Sequence, residues 1–482
     1  MKPIENSTLY PNVRKGKAQA IPSEDVEQSL YAKRQKIYPR QVHGLFARLR
    51  ITSVLTLLGI YYIFPWLQWD GRQAVLFDLP ARQFYIGGWI FWPQDFIYLA
   101  FLLIIAGFSL FFFTTLAGRL WCGYACPQTA WTETFLWMER LVEGDRSRQM
   151  KLDKEPMSAR KFRIKATKHG LWIGFSLITG FTFIGYFTPI RELMDNLIPY
   201  NLSGWETFWF FFYSAATYGN AGFMREQICI YMCPYSRFQS AMFDKDTLII
   251  AYDAERGDPR GSRKKGEDYQ AKNLGSCINC TMCVQVCPTG IDIRDGLQYQ
   301  CIGCSACIDV CDDIMEKMNY PKGLIRYTTD HAIHGNKTHI LRPRILVYAT
   351  LLLTLFGLLI YSIAIRVPVQ LDVMRDRNML YRESNEGLIQ NVYMLKLINK
   401  DIHPHQFTVT VNGLQNIQLE MDSTIIEVAG SSLLDLPVRV NVARDDIPEQ
   451  SNTIEFTLAV EGQPDWTVTE DARFLGPLKR LR

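Results

Sequence analysis

Cysteine is missing from both ends of this chain. All twelve lie between Cys122 and Cys311, so the C-terminal region has to fold without disulfides, on its apolar core alone. Net charge is nearly absent, at +4 over 482 residues, and no global electrostatic argument points to nucleic acid. The G-x-G-x-x-G and G-x4-G-K-[ST] phosphate loops are missing too, which disfavours a directly bound nicotinamide or ATP. The first fifty residues are polar and charged with no early apolar run, so no secretory signal is expected.

What the chain does have is a pattern in eight cysteines. The first run is Cys277-x2-Cys280-x2-Cys283-x3-Cys287-Pro288 and the second is Cys301-x2-Cys304-x2-Cys307-x3-Cys311. This is the ligand spacing of a bacterial two-cluster ferredoxin, in which the fourth cysteine of each run serves the other cluster. It assigns Cys277, Cys280, Cys283 and Cys311 to one [4Fe–4S] cluster, and Cys301, Cys304, Cys307 and Cys287 to a second. Zinc also binds repeated C-x2-C pairs but has no use for the tandem x2-x2-x3 run. Cluster assembly on free thiolates implies a reducing compartment for this segment.

Uncharged apolar spans run roughly over 51–67, 96–116, 170–189, 207–224 and 345–365. Five such spans predict a multi-pass membrane protein. Lys33, Arg34, Lys36, Arg40, Arg48 and Arg50 precede the first, and a run of cations from Arg140 to Lys168 separates the second from the third. The loops 68–95 and 190–206 hold only Arg72, Arg82 and Arg191. By the positive-inside rule the amino terminus, the basic loop and the ferredoxin segment face the cytoplasm, and the carboxyl terminus lies outside. The expected organisation is a cytoplasmic tail (1–50), a transmembrane four-helix region (51–245), a cytoplasmic α+β two-cluster ferredoxin insert (246–344), a fifth transmembrane helix (345–366) and a terminal domain (367–482).

That terminal domain reads as β. Segments 391–398, 406–411, 423–428, 436–442 and 453–460 are short, β-branched and partly alternating, with Asn412-Gly413 and Glu461-Gly462 as breaks. Several short strands in this length predict a β-sandwich of immunoglobulin-like type, without the inter-sheet disulfide. It shows no catalytic constellation, so docking or scaffolding is its expected role.

The remaining cysteines form an internal repeat. Cys122-x3-Cys126-Pro127 follows the second span and Cys229-x3-Cys233-Pro234 follows the fourth. An i, i+4 spacing places both sulfurs of a pair on one helical face, and two pairs could present four soft ligands to one site at the membrane surface. Soft sulfur suits Cu(I), zinc or an iron–sulfur cluster. Burial as small apolar residues and a reversible disulfide are the other readings. Nearby, His331, His334 and His339 read as a polar interfacial loop, and Met224, Met232 and Met242 as packing. Glu133, Glu139 and Asp244 read as caps or solvated carboxylates that could tune proton or metal chemistry. The basic stretches 140–168 and 256–265 read as membrane sidedness and attraction to anionic lipid.

Taken together, the run from Cys277 to Cys304, both C-x3-C-P motifs, the five spans and the terminal domain resemble the CcoG family, also called FixG or Rdx, of cytochrome c oxidase accessory proteins. The likeness covers essentially the whole chain. It implies a bacterial inner-membrane protein that reduces Cu(II) to Cu(I) for assembly of cbb-type haem–copper oxidase, with the C-terminal domain in the periplasm. It implies that Cys122, Cys126, Cys229 and Cys233 are the catalytic residues and hold copper, or an additional metal, with copper as substrate or bound ion. Implied partners are membrane lipid, oxidase assembly factors or copper chaperones, and a protein or quinol electron donor; a homodimer is left open. A quinol-oxidising polyferredoxin resembling NapH and a non-catalytic copper chaperone or assembly scaffold are the alternatives.

Overall fold

The structure, a computed structural model, describes residues 36–477 apart from 200, 270, 378, 385 and 386. Most of the expected tail, with Lys33 and Arg34, lies outside the described residues. The chain forms two compact units, one from residues up to Gln68 together with Ala100–Phe356, the other from Trp69–Leu99 together with Gly357 onward.

Among the described residues three helices are long and apolar enough to cross a membrane: Leu45–Trp66, Pro93–Ala117 and Pro343–Ala364. The expected spans at 170–189 and 207–224 fall short of that measure for physical reasons. Helix Ala159–Ile184 spends its first turns on Lys161, Arg163, Lys165 and Lys168 and ends at Gly185. Helix Gly204–Thr217 has 14 residues, about 21 Å at 1.5 Å per residue, before it gives way to a π-helical segment, Tyr218–Met224. These two helices pack closely at Gly180, where a Cβ would fall 2.7 Å from the Phe210 carbonyl oxygen. Their outer faces stay apolar, with Ile173, Ile178, Phe208, Phe211 and Phe212 exposed.

The eight-cysteine segment is α+β, as its spacing predicts. Strand Ile249–Tyr252 pairs antiparallel with Ile325–Thr328, and helices Met282–Gln285 and Ala306–Lys317 carry the third cysteine of each run. Ile250, Tyr252, Ile293, Ile308, Met315, Leu324 and Ile325 close one core around Cys277 and Cys283. This segment also caps the first long helix. Helix Leu45–Ile63 has no acidic residue in its first turn and no side-chain cap from Gly44. The Asp309 carboxylate accepts from the Ala47 and Phe46 amides at 2.7 and 3.2 Å instead. Gly44 permits this approach, since a Cβ there would lie 2.3 Å from the carboxyl group.

In the second unit two antiparallel sheets face each other. Leu388–Asn399 pairs with Leu433–Ala443 and Val369–Arg375 in one; His405–Asn412, Ser451–Val460 and Gln463–Leu475 form the other with Ile425–Val428. Alternation puts Leu395, Leu397, Phe407, Val440, Phe456 and Leu458 in one core. The expected strands are found within a few residues. The last strand and Val369–Arg375 had no counterpart in the sequence pattern, and the 68–95 loop proves to hold a three-stranded sheet, Val75–Asp78, Gln83–Ile86 and Trp89–Phe91. Within this unit Asp95 binds Arg366 and Lys400, each at 2.7 Å.

Candidate redox site

The two ferredoxin runs are conformational repeats. Asn279 and Thr281 are left-handed, and so are Gly303 and Ser305 at the equivalent positions of the second run. Non-glycine residues rarely adopt this backbone outside functional sites. It bends each loop back on its own cysteines, and the thiols gather into two neighbouring groups. Cys277, Cys280, Cys283 and Cys311 line one cavity with Tyr252 and Arg294. Burial, reinforced by Cys283 and Cys277, pushes the Cys311 thiol up to about 12. In the other set burial drives the Cys307 thiol well up, with Cys304, Cys301 and Cys287 adding to the effect, and Cys301 rises to about 12.

Buried thiols whose ionised forms repel one another fit a cationic iron–sulfur core, which supplies the missing counter-charge. All twelve cysteines are free thiols. Among the described residues no three His, Cys, Asp or Glu side chains close on a point suited to a single ion. A cubane instead takes its four thiolates at separate corners, so two [4Fe–4S] clusters suit both quartets. When bound, they supply one-electron transfer.

The C-x3-C-P motifs differ from the expectation of one helical face. Cys122 lies in a short helix, Leu120–Tyr124, whereas Cys126 is the N-cap of helix Pro127–Glu143. Cys229 lies in a π-helical turn, Ile228–Met232, and Cys233 caps Pro234–Met242. Each proline takes the first helical position, where its missing N–H costs nothing. The repeat extends two residues past each proline. Thr129 and Ser236 donate to the carbonyls of Cys122 and Cys229 at 2.6 and 2.5 Å, fixing the first cysteine of each pair. That C-x3-C-P-x-[ST] extension was present in the sequence.

Tertiary contacts then join the two motifs to the second cluster's loop. The Cys122 thiol donates at 3.3 Å to Gln239 Oε1, on the helix that follows the other motif. Arg119 donates to the Ser236 carbonyl at 2.6 Å, the Cys301 carbonyl at 3.2 Å, and the Tyr299 carbonyl. Gly123 rests on Gly303 so closely that a Cβ would fall 2.6 Å from its carbonyl oxygen. Cys122 and Cys229 pack against Ile302, Cys304 and Val286. Burial, then Cys126, pushes the Cys122 thiol up to about 12; burial, Cys126 and Cys233 push Cys229 up to about 11. Cys122, Cys126 and Cys229 are thus neighbours, Cys233 adjoins Cys229, and Cys122 and Cys229 lie beside Cys304, although among the described residues the four do not close on one point.

The carboxylates depart from the expected solvated roles. Glu133 pairs with Arg140 at 3.0 Å and Arg50 at 3.7 Å. Glu139, 1% exposed, pairs with Arg225 at 2.8 Å. Burial acting alone would raise the Glu139 carboxyl, but Arg225, Lys36 and Lys168 outweigh it and hold it at about 2. Lys165 and Lys168 are spent on Glu143 and Asp153, so the basic loop is partly a folded ion-pair network. Asp244 closes a local turn rather than capping a helix, accepting from the Asp246 amide at 3.0 Å, and pairs with Arg342 at 3.1 Å. His331 and His339 both bond Asp246, and Met232 is exposed rather than packed. Arg119, Gln239 and Arg225 gave no signal in the sequence.

This assembly defines an iron–sulfur electron-transfer protein that carries apolar helices and an immunoglobulin-like domain. Residues 224–330 match the family described as 4Fe-4S dicluster domain, 98–145 a 4Fe-4S binding domain, and 359–477 the IG-like fold at the C-terminal of FixG. The nitrogen fixation protein FixG of Rhizobium meliloti is 38% identical over 82% of this chain and 83% of its own. Protein RdxB of Cereibacter sphaeroides is 39% identical over 90% and 94%. A solved FixG-related protein from Vibrio parahaemolyticus aligns with 23% of this chain and 98% of its own at 29% identity, with a TM-score of 0.21. The chain belongs to the FixG/Rdx family.

Proposed function

We propose that this protein delivers electrons from its ferredoxin segment to copper, reducing Cu(II) to Cu(I) at Cys122, Cys126, Cys229 and Cys233 for assembly of a haem–copper oxidase. The observation that carries the reading is the packing of Cys122 and Cys229 against Cys304 and its loop. It supports the reading because two of the four soft sulfurs lie beside a cysteine of the second ferredoxin run. Thiolates prefer Cu(I) to harder ions, so this quartet favours the reduced product, and a small cavity of about 40 Å³ between Cys229 and Cys304 leaves room for an entering ion. Copper here is substrate.

The proposed setting is the bacterial inner membrane. Three crossings, at Leu45–Trp66, Pro93–Ala117 and Pro343–Ala364, give the same sidedness as five, because the remaining two spans form a hairpin. Residues 69–92 and the C-terminal domain then face the periplasm, and the ferredoxin segment the cytoplasm. The test is the quadruple cysteine-to-alanine variant at 122, 126, 229 and 233. It should lose dithionite-driven Cu(II) reduction while keeping iron content and two-cluster absorbance. Full copper reduction by that variant refutes the reading. Stoichiometric copper binding without turnover in the wild type would make the protein a chaperone instead.

A further inference from the structure

Arg225 stands between two cavities. One holds Cys229 and Cys304. The other, about 230 Å³, is lined by Glu139, Lys168, His169, Trp172, Phe223 and Arg225 itself. Arg225 is left-handed, at φ +43°, and sits between two π-helical segments, Tyr218–Met224 and Ile228–Met232. Such irregular turns concentrate at functional sites. Nothing in the copper reading uses the second cavity.

Its walls are aromatic. The His169 and Phe223 rings are within 16° of parallel with centroids 6.1 Å apart, and Trp172 stands edge-on to both at 5.2 and 6.2 Å. Its polar groups converge from one side. Lys168 Nζ lies 4.6 Å from the Trp172 ring, and His169 Nδ1 shares a 3.0 Å hydrogen bond with the Tyr218 hydroxyl. Glu139 Oε1 faces Lys36 at 3.1 Å and Lys168 at 3.5 Å, yet completes a hydrogen bond with neither. A buried carboxylate oxygen left this way is a ready acceptor for a ligand hydroxyl.

The location selects a lipid-soluble ligand. Helix Ala159–Ile184 changes here from its cationic first turns to an apolar run with Leu171 and Ile173 exposed, and Phe223 of the segment Tyr218–Met224 is exposed too. An apolar cavity near 150 Å³ takes a benzene ring, so this one has room for a substituted ring and its oxygens. Lys36, Lys168 and Arg225 outnumber the one carboxylate of the lining, Glu139, so an anionic headgroup is the competitor that the test has to exclude.

We propose that this cavity binds a quinone head group and is where a quinol hands over its electrons. The inference rests on the electron-transfer reading above and supplies its donor. One quinol loses two electrons and two protons and leaves as quinone. The two clusters that the eight cysteines would hold would supply a one-electron acceptor for each electron. The protons pass in turn to His169 and on to water; burial and the adjacent Lys168 keep that imidazole neutral and able to accept them.

The test uses full-length protein in detergent and a short-chain benzoquinone, with His169→Phe and Phe223→Ala as variants. Phe223 is half exposed, so its loss does not threaten folding. Calorimetric titration should show saturable quinone binding by the wild type and at least tenfold weaker binding by each variant. Under anaerobic conditions the ratio of quinol-driven to dithionite-driven bleaching of cluster absorbance should fall tenfold as well. Unchanged affinity in both variants overturns the proposal, as does displacement of the quinone by phosphatidylglycerol at stoichiometric amounts. If quinone fails to bind while dithionite still drives Cu(II) reduction, the donor site falls alone. If quinone binds but dithionite drives no Cu(II) reduction, the site stands and the copper reading falls.

Discussion

Asp309 joins the ferredoxin segment to the first long helix, and its removal can be sized. The carboxylate accepts from Ala47 N at 2.7 Å and Phe46 N at 3.2 Å, with Asp309 8% and Ala47 5% exposed. An ordinary exposed N-cap is worth about 0.5–2 kcal/mol, and a hydrogen bond to a charged group about 1.5–3 kcal/mol. With no water to replace either bond and the helix's positive end also losing its anion, Asp309→Ala should cost about 3 kcal/mol. Asp309→Asn keeps one acceptor oxygen and should cost about half as much. At roughly 1.4 kcal/mol per decade, the alanine variant should speed amide exchange at Phe46 and Ala47 about 100-fold. Gly44→Ala should act in the same direction, through contact alone, because a Cβ there drives the carboxylate away. Exchange at these two amides that matches the wild type in Asp309→Ala would refute the reasoning.

The swapped ligation predicts that Cys311→Ser depletes the cluster of Cys277, Cys280 and Cys283, although Cys311 belongs to the other run; electron paramagnetic resonance of Cys311→Ser and Cys287→Ser should lose different signals. In the second unit, Asp95→Asn leaves Lys400 and Arg366, 6% and 12% exposed, short of their counter-charge. Breaking a buried ion pair in this way costs about 3–5 kcal/mol, so near-ultraviolet dichroism should show earlier melting with cluster absorbance intact. Glu139→Gln should destabilise by a similar amount near neutrality. The Glu139 carboxyl is held at about 2 against its ordinary 4.5, so its contribution is present above pH 4.5 and lost as pH falls toward 2. The stability gap between wild type and variant should therefore close over that window, and a gap constant with pH would count against the ion pair.

How much of this was readable in the chain depends on whether the cause is local. Cluster ligation depends on spacing within a few residues, so both cysteine quartets and their α+β setting could be read directly. The β-sandwich was legible because alternation has a period of two, as in Ser451–Val460, where every second residue is buried. The sheet at Val75–Phe91 was missed because its strands have 4, 4 and 3 residues, too few to show a period. Contacts such as Asp309 to Ala47 and Arg119 to Cys301 span 262 and 182 residues and leave no trace in a pattern.

The C-x3-C-P motif is the case where local physics was present and the wrong rule was applied to it. An i, i+4 pair shares a face only on an unbroken helix, and the residue before a proline is pushed out of the helical region. Cys126 at ψ 127° and Cys233 at ψ 111° obey that constraint. The second sulfur of each pair therefore leaves the face of the first, and helix geometry cannot assemble the quartet. Arg119, which ties Ser236 to Cys301, and Gln239, which accepts from Cys122, join the two motifs instead. A site held by two buried side chains outside the motif should tolerate loss of Pro127 or Pro234 better than loss of Arg119.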